Sequence, residues 1–93
     1  MSIARIRSAS FKSKEKADIM EALYDKHCRT YLPMAEDILA IRTDELTVLF
    51  VTIYPNEKAA NEALGGVIKF FETYPTVVSD DEFFLEGPVA VRH

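Results

Sequence analysis

The sequence is poor in the residues and runs that mark disulfide-rich, secreted or membrane proteins. It has 93 residues, with one cysteine, no tryptophan and three glycines. A single cysteine, Cys28, excludes an intrachain disulfide and fits a reducing compartment. No apolar run approaches the roughly 20 residues of a membrane-spanning helix, and no signal-peptide pattern opens the chain. We therefore expect a cytoplasmic protein without a membrane partner.

Positive charge is also scarce. Fifteen acidic residues outnumber eleven basic ones, and the net charge at pH 7 is −4. With a pI near 5.1, the surface repels a phosphate backbone, so nucleic acid is not predicted as a partner. What is abundant is apolar, since 48% of the residues are hydrophobic. This composition and length predict one globular domain, residues 1–93.

Apolar periodicity and breaker residues divide the chain into six elements. Ser13 can cap a helix with an apolar stripe at spacings of three and four. A second helix is expected between Asn56 and Pro75, and Gly65-Gly66 inside it indicates either a bend or very close packing. The predicted order is strand 2–10, helix 14–31, strand 38–43, strand 46–54, helix 56–74 and strand 83–93.

The order β-α-β-β-α-β predicts a ferredoxin-like α+β fold. In this fold both right-handed crossovers place their helices on the same face of a four-stranded antiparallel sheet. The first strand is then central, and the other face of the sheet has no helix to cover it.

The third strand, LTVLFVTIY at 46–54, is apolar on both faces. If Thr43 pairs with Leu46 across the hairpin, the strand divides into two sets, and we expect the smaller one, Leu49, Val51 and Ile53, to lie under the helices with Ile38 and Ala40. Exposure of the larger set would forfeit on the order of 10 kcal/mol. A second copy of the sheet could cover it, which predicts a homodimer. The predicted interface residues are Leu39, Ile41, Leu46, Val48 and Phe50.

Two segments resemble a known family. LFVTIYPNEKAANEA at 49–63 and EGPVAV at 86–91 are similar to the third and last strands of the dimeric α+β barrel superfamily, in particular its antibiotic-biosynthesis monooxygenase-like domains. The resemblance implies sheets paired into a barrel and a pocket in each subunit. It also implies, in some members, oxidation of aromatic polyketides without a cofactor. Such members commonly employ Asn, Trp and His, whereas this chain has no Trp and places Asn56, Asn61 and His27 on helices.

Arg5 and Arg7 alternate on the predicted central strand. If Ala4 and Ile6 lie under the helices, the two arginines point to the uncovered face. Glu86 joins them there if Leu85, Val89 and Val91 lie under the helices. With Thr52 and Tyr54 they predict a pocket for a carboxylate or phenolate, because arginine grips such groups bidentately. The alternative is an ion-pair network at a barrel rim or dimer seam.

Other polar residues give weaker indications. His27 could act as a general base near neutral pH, but a histidine in an apolar helix stripe is more often structural. The acidic pairs at predicted turns have no histidine at ligand spacing, so no metal or cofactor is predicted. RNA-recognition domains share the element order and expose strand aromatics, as Phe50 and Tyr54 would be. The acidic pI and the absence of a Lys/Arg-Gly-Phe entry to the third strand disfavour that reading.

The sequence therefore predicts a homodimeric α+β barrel protein that binds a small molecule between sheet and helices. The alternative is a cofactor-independent, monooxygenase-like enzyme acting on a small aromatic or polyketide-like substrate.

Overall fold

A computed structural model describes residues 1–74 and 81–93, with residues 81–83 described by their backbone. Within these ranges the chain forms β1 (Ile3–Ser10), α1 (Lys14–Tyr31), β2 (Asp37–Arg42), β3 (Thr47–Tyr54), α2 (Glu57–Thr73) and β4 (Asp81–Pro88). The strands form one antiparallel sheet in the order β2-β3-β1-β4. The predicted ferredoxin-like α+β fold, with β1 in the interior of the sheet, is confirmed.

Both helices begin at a residue whose side chain satisfies an otherwise unpaired backbone N–H. The hydroxyl of Ser13 accepts from the backbone N–H of Lys16 at 3.2 Å. The side-chain oxygen of Asn56 accepts from the backbone N–H of Ala59 at 2.8 Å. The predicted closing residue of α2, Pro75, lies outside the described residues. Neither helix in the described part of the chain is long and apolar enough to cross a membrane.

The hairpin between β2 and β3 has a longer turn than predicted. Arg42 pairs with Val48, and the N–H of Thr43 donates to the carbonyl of Thr47 at 3.1 Å. The carboxylate of Asp44 accepts from the N–H of Leu46 at 2.8 Å and holds the turn. The predicted pairing of Thr43 with Leu46 is therefore wrong by one residue. Such a shift exchanges the faces of one strand relative to its neighbour.

The face of β3 that lies under the helices is the opposite of the predicted one. Val48 is 0% exposed, and Phe50, Thr52 and Tyr54 are also buried. The ring of Tyr24 on α1 meets Phe50 edge-on at 4.8 Å between centroids. Val48 and Phe50 were expected at the dimer interface, and this expectation is wrong because the aromatic side chains of the helices pack against the larger side chains of β3. We call this side of the sheet the covered face.

The other side, which we call the open face, has an aliphatic centre. Leu39 and Ile41 lie there as predicted, 46% and 44% exposed, because the observed register pairs them with Val51 and Leu49. Leu46 precedes β3 and is also partly exposed. The described side chains of the open face are Ala4, Ile6, Ser8, Ser10, Asp37, Leu39, Ile41, Thr47, Leu49, Val51, Ile53, Leu85 and Gly87.

Three further expectations about faces are wrong. Ala4 and Ile6 were expected under the helices but lie on the open face, because their partners on β3 are Ile53 and Val51. Leu85 also lies there and is 57% exposed. The predicted last strand is too long, because β4 ends at Pro88. Val89 and Val91, which were expected under the helices, therefore lie after the end of β4 and belong to neither face.

The two helices approach each other closely at Gly66. A Cβ atom built on Gly66 would lie 2.0 Å from the carbonyl oxygen of Tyr31, at the end of α1. Gly65 has no atom within 4 Å of the same position. Of the two readings of the glycine pair, close packing is the one observed, and it involves only the second glycine.

Candidate functional site

A cavity of about 370 Å³ lies between the covered face and the two helices. Its walls are mainly apolar, with aromatic rings from both helices and from two strands. The polar and sulfur-bearing side chains at its wall are Arg5, Arg7, Met20, Tyr24, Cys28, Tyr31, Thr52, Tyr54 and Glu86. All five residues predicted for a ligand pocket are therefore in this wall, although their role in binding stays a prediction.

The register of the sheet explains how those five residues meet. Arg5 lies opposite Thr52 on β3 and opposite Glu86 on β4. Directly opposed residues of antiparallel strands have their side chains on the same face of the sheet. The guanidinium of Arg5 therefore lies between the side chains of Thr52 and Glu86 on that face. The expected grouping of Arg5 and Arg7 with Glu86 is correct. The expected direction is wrong, because these side chains point to the helices and not to the open face.

Arg5 connects the sheet to the first turns of α2. Its Nη1 donates to the carbonyl oxygen of Ala60 at 2.5 Å, and its Nη2 donates to the side-chain oxygen of Asn61 at 2.9 Å. Nη2 also lies 3.5 Å from a carboxylate oxygen of Glu86. The Nε atom is buried, and within the described part of the chain it has no hydrogen-bond partner. The guanidinium is thus fixed in position against α2.

Both arginines of the cavity lie against aromatic rings. The guanidinium carbon of Arg5 is 5.9 Å from the ring centroid of Phe84, and that of Arg7 is 6.0 Å from the ring centroid of Phe71. At such distances the ring attracts the cation and also holds its plane. The pair therefore presents ordered, positively charged groups to a largely apolar space.

Hydroxyl groups occupy the wall beside the arginines. Burial raises the pKa of Tyr24 to about 12, and a hydrogen bond with Thr52 opposes that rise only in part. Burial also raises the pKa of Tyr54, against the lowering effects of Thr52 and of the two arginines. Both phenols are therefore neutral near pH 7. They can donate a hydrogen bond to a ligand oxygen or accept one from it.

The cavity opens between α2 and β4. Leu64 and Phe84 are about half exposed although they line it, and Glu86 is exposed as well. Thr52, Phe50 and Met20 are buried at the inner wall. Glu86 therefore lies on the solvent side of the cavity and Thr52 on its inner side.

His27, the weaker candidate, is not in the cavity wall. Its ring stacks on Tyr74, with centroids 5.6 Å apart, which is the structural role expected of a histidine in a helix stripe. Within residues 1–74 and 81–93, no three His, Cys, Asp or Glu side chains are placed to hold a metal ion.

Sequence reasoning missed Tyr24 and Asn61. Tyr24 belongs to the apolar stripe of α1 and was interpreted only as a core residue. Its hydroxyl could have indicated a polar site nearby, because a buried phenol needs a hydrogen-bond partner. Asn61 was noted only for lying on a helix. Its contact with Arg5 depends on how α2 lies over the sheet, which no local pattern in the sequence encodes.

Comparison with known proteins finds no matching family model and no matching curated protein. Solved structures match nearly the whole chain at low identity. A dimeric ferredoxin-like protein from an uncultured marine organism matches with a TM-score of 0.77 at 10% identity, over 99% of this chain and 98% of that one. A protein from Caulobacter crescentus, assigned to the antibiotic biosynthesis monooxygenases, matches with a TM-score of 0.75 at 10% identity, over 97% and 91%.

A third match is to an oxygenase. SnoaB, a cofactor-independent oxygenase from Streptomyces nogalater, has a TM-score of 0.69 at 10% identity, over 98% of this chain and 95% of that one. At such identities the likeness establishes the fold. The resemblance drawn from residues 49–63 and 86–91 is confirmed at that level, and the chain has the ferredoxin-like α+β fold of these proteins.

Proposed function

We propose that this chain forms a homodimer and binds a small molecule in the cavity between the sheet and the helices. One observation carries the proposal: Arg5 and Arg7, on an interior strand, line an apolar cavity of about 370 Å³ and are partly buried. Ligand sites are commonly concave spaces of about 300–1,000 Å³ with apolar walls and a few converging polar groups. Desolvated cations are costly to maintain, which supports a binding role over a purely structural one.

The wall defines the ligand chemistry. The apolar majority favours a hydrophobic, ring-containing body, and the two guanidiniums favour an acidic oxygen, either a carboxylate or a phenolate. Thr52 and Tyr54 would hydrogen-bond to further oxygens. Glu86 lies at the entrance, where it affects which charges pass.

The open face supports the dimer. Leu39, Ile41 and Leu85 are each about half exposed and adjoin Ile6, Leu49 and Val51 through the sheet register. An apolar patch across several strands marks an interaction surface, and a two-fold axis lets one copy cover another. A structurally similar protein is described as dimeric. We therefore assign the open face to a second copy of this chain, with Leu39, Ile41 and Leu46 kept in the proposed interface.

A thermal-shift screen tests ligand binding. Aromatic carboxylates, phenols, quinols and haem would be added to the wild-type chain, and a binder should raise the melting temperature by about 4 to 8 °C for each kcal/mol of linked stabilisation. Arg7→Ala and Tyr54→Phe should reduce that rise. Arg92→Ala is the matched control, because Arg92 pairs with Glu36 and Asp37 away from the cavity. Absence of a shift with every compound would contradict the proposal.

A second candidate function is cofactor-independent, monooxygenase-like oxidation of a small aromatic or polyketide-like substrate. Its support is the likeness to SnoaB and the position of Tyr24, Thr52 and Tyr54 beside two arginines, which could stabilise a substrate phenolate before oxygen attack. Oxygen uptake in the presence of a quinol that the screen identifies, measured with the wild-type chain and with Arg7→Ala, tests it. Binding without uptake above the buffer rate would leave the binding function and reject the enzyme.

A further inference from the structure

The cavity adjoins a second, more open space, a groove of about 400 Å³ along the outer side of α2. Most of the groove wall belongs to the cavity as well. The described residues that line both spaces are Arg7, Leu64, Val67 and Phe71, and Ile68 and Glu72 line the groove alone. A molecule that fills the cavity can therefore extend past Arg7 into the groove.

The contacts of the two arginines with α2 give the cavity a direction. Arg5 is hydrogen-bonded to the first turns of the helix, whereas Arg7 lies against Phe71 in the last turn. Both arginines lie on the same face of β1, so the cavity extends along the helix from Arg5 to Arg7. The groove continues toward Glu72. The helix rises roughly 12 Å between Leu64 and Glu72, which is long enough for a short alkyl chain.

The groove has apolar side chains that the fold itself leaves half exposed. Leu64 and Ile68 lie one helical turn apart and are 49% and 50% exposed. Phe84, which lines the cavity together with Leu64, is 48% exposed. Large apolar side chains that adjoin one another and a cavity are typical of a ligand-binding surface. Glu72 is exposed at the far end of the groove and disfavours a second acidic group there.

We propose, resting on the proposed ligand-binding function, that the ligand has two parts, a ring body with an acidic oxygen and an unbranched apolar arm. The ring lies in the cavity, where the arginines bind its acidic oxygen. The arm passes Arg7 and packs against Leu64 and Ile68 in the groove. Ile68 contacts the arm alone, because it lines the groove and not the cavity. The ligand class is therefore an alkyl-substituted aromatic acid, and Ile68 determines specificity for the arm.

Two probes with the same ring test the proposal on the full chain. The first, 2-naphthoate, supplies the ring and the acid. The second, 6-hexyl-2-naphthoate, adds a hexyl arm at the end of the ring opposite the carboxylate. Burial of a methylene raises affinity about fourfold when it is complete and about twofold when it is half complete. We expect calorimetric titration to give at least about tenfold tighter binding for the probe with the arm.

Ile68→Gln tests where the arm binds. The variant replaces an apolar side chain of the groove with a polar one of similar length. It should weaken 6-hexyl-2-naphthoate by about three- to tenfold and leave the affinity for 2-naphthoate unchanged. Ile19→Gln is the matched control, because Ile19 is also 50% exposed on a helix but lines neither the cavity nor the groove. It should bind both probes as the wild-type chain does.

Methyl NMR locates the arm independently of affinity. The δ1-methyl signal of Ile68 is assigned by its loss in Ile68→Gln, and that of Ile19 by its loss in Ile19→Gln. At saturation, 6-hexyl-2-naphthoate should move the Ile68 signal, whereas 2-naphthoate should leave it in place. The Ile19 signal should remain in place with both probes.

The outcomes separate this inference from the proposed function. If the two probes bind equally, or if Ile68→Gln and Ile19→Gln have the same affinity for 6-hexyl-2-naphthoate, the arm position is wrong while small-molecule binding stands. An Ile68 signal that does not move at saturating 6-hexyl-2-naphthoate overturns the inference in the same way. If the thermal-shift screen finds a ligand but neither naphthoate binds, the ligand class is wrong. If no compound binds at all, both the inference and the proposed function fail.

Discussion

Each face of the sheet carries some side chains that its surroundings would not ordinarily dictate. The covered face holds two arginines, a threonine and a tyrosine beneath the helices, whereas the centre of the open face is aliphatic. In a sheet with one solvated face, apolar residues normally lie under the helices and polar residues outside. Both departures support the proposal of a second partner for each face, a ligand for the covered face and another copy of the chain for the open face.

Val48→Asp should have the largest effect. Val48 is 0% exposed beneath the helices, and an unpaired carboxylate there would cost more than about 4 kcal/mol. This is comparable with the whole stability of a small domain, so we expect a mainly unfolded chain. Circular dichroism and the dispersion of the amide NMR spectrum would measure it. A folded Val48→Asp chain would contradict the assignment of the covered face.

Val51→Asp is the matched change on the open face of the same strand. Val51 lies opposite Ile6 and Leu39 and is only half-buried. The variant should fold, with a loss of about 1 kcal/mol or less within the subunit. It should no longer associate, because two carboxylates would meet at the two-fold interface. Light scattering should give twice the 10.5 kDa chain mass for the wild type and a single chain for the variant. A wild-type mass of one chain at all concentrations would contradict the dimer.

Gly66→Ala tests the helix contact that closes one end of the cavity. A Cβ 2.0 Å from the Tyr31 carbonyl oxygen forces the helices apart, and we expect a loss of about 1 to 3 kcal/mol in the free energy of unfolding. Gly65→Ala meets no atom within 4 Å and should instead stabilise by up to about 1 kcal/mol through helix propensity. Urea denaturation of both variants measures the difference. Equal effects in the two variants would refute the close approach.

The stability of the fold at alkaline pH should depend on Tyr24, which is largely buried beside the covered face. Its pKa is about 12 in the folded chain and 10 when unperturbed, so folding keeps the phenol protonated. The contribution of Tyr24 to the free energy of unfolding is complete below pH 10. It is lost as the pH rises from 10 through 12, by on the order of 2 to 3 kcal/mol. Urea denaturation from pH 9 to 12 should show this loss, and Tyr24→Phe should show less of it. An identical pH dependence in Tyr24→Phe would contradict the buried phenol.

The element order was readable from the sequence because caps and apolar stripes are local. Ser13 and Asn56 are the N-caps of helices whose stripes have a clear period, and α1 begins and ends at the predicted residues, Lys14 and Tyr31. The faces of β3 were not readable because it is apolar on both sides and the hairpin turn lacks an Asn-Gly pair that would fix its length. The smaller side chains of β3 were predicted to lie under the helices because of their size. In the structure the larger side chains lie there instead, because aromatic side chains of the helices pack against Phe50.

The candidate site was partly readable for a related reason. Arg5 and Arg7 are two residues apart on β1, and Glu86 lies opposite Arg5 on β4. The three side chains therefore had to share a face, whether the covered or the open one. The absolute direction, and with it the contribution of Tyr24 and Asn61, depends on tertiary packing. Such packing is non-local, so residue spacing alone cannot supply it.

The alternation of cavity and open face along single strands also limits how this fold can diverge. Arg5, Ile6 and Arg7 are consecutive, so the loss or gain of one residue in β1 would turn cavity side chains toward the open face and open-face side chains into the cavity. Relatives should therefore vary their ligands by substitution within β1 and β3 and vary their lengths in the turn at residues 43–46. Within the strands, a new specificity must therefore come from exchange of side chains at every second position.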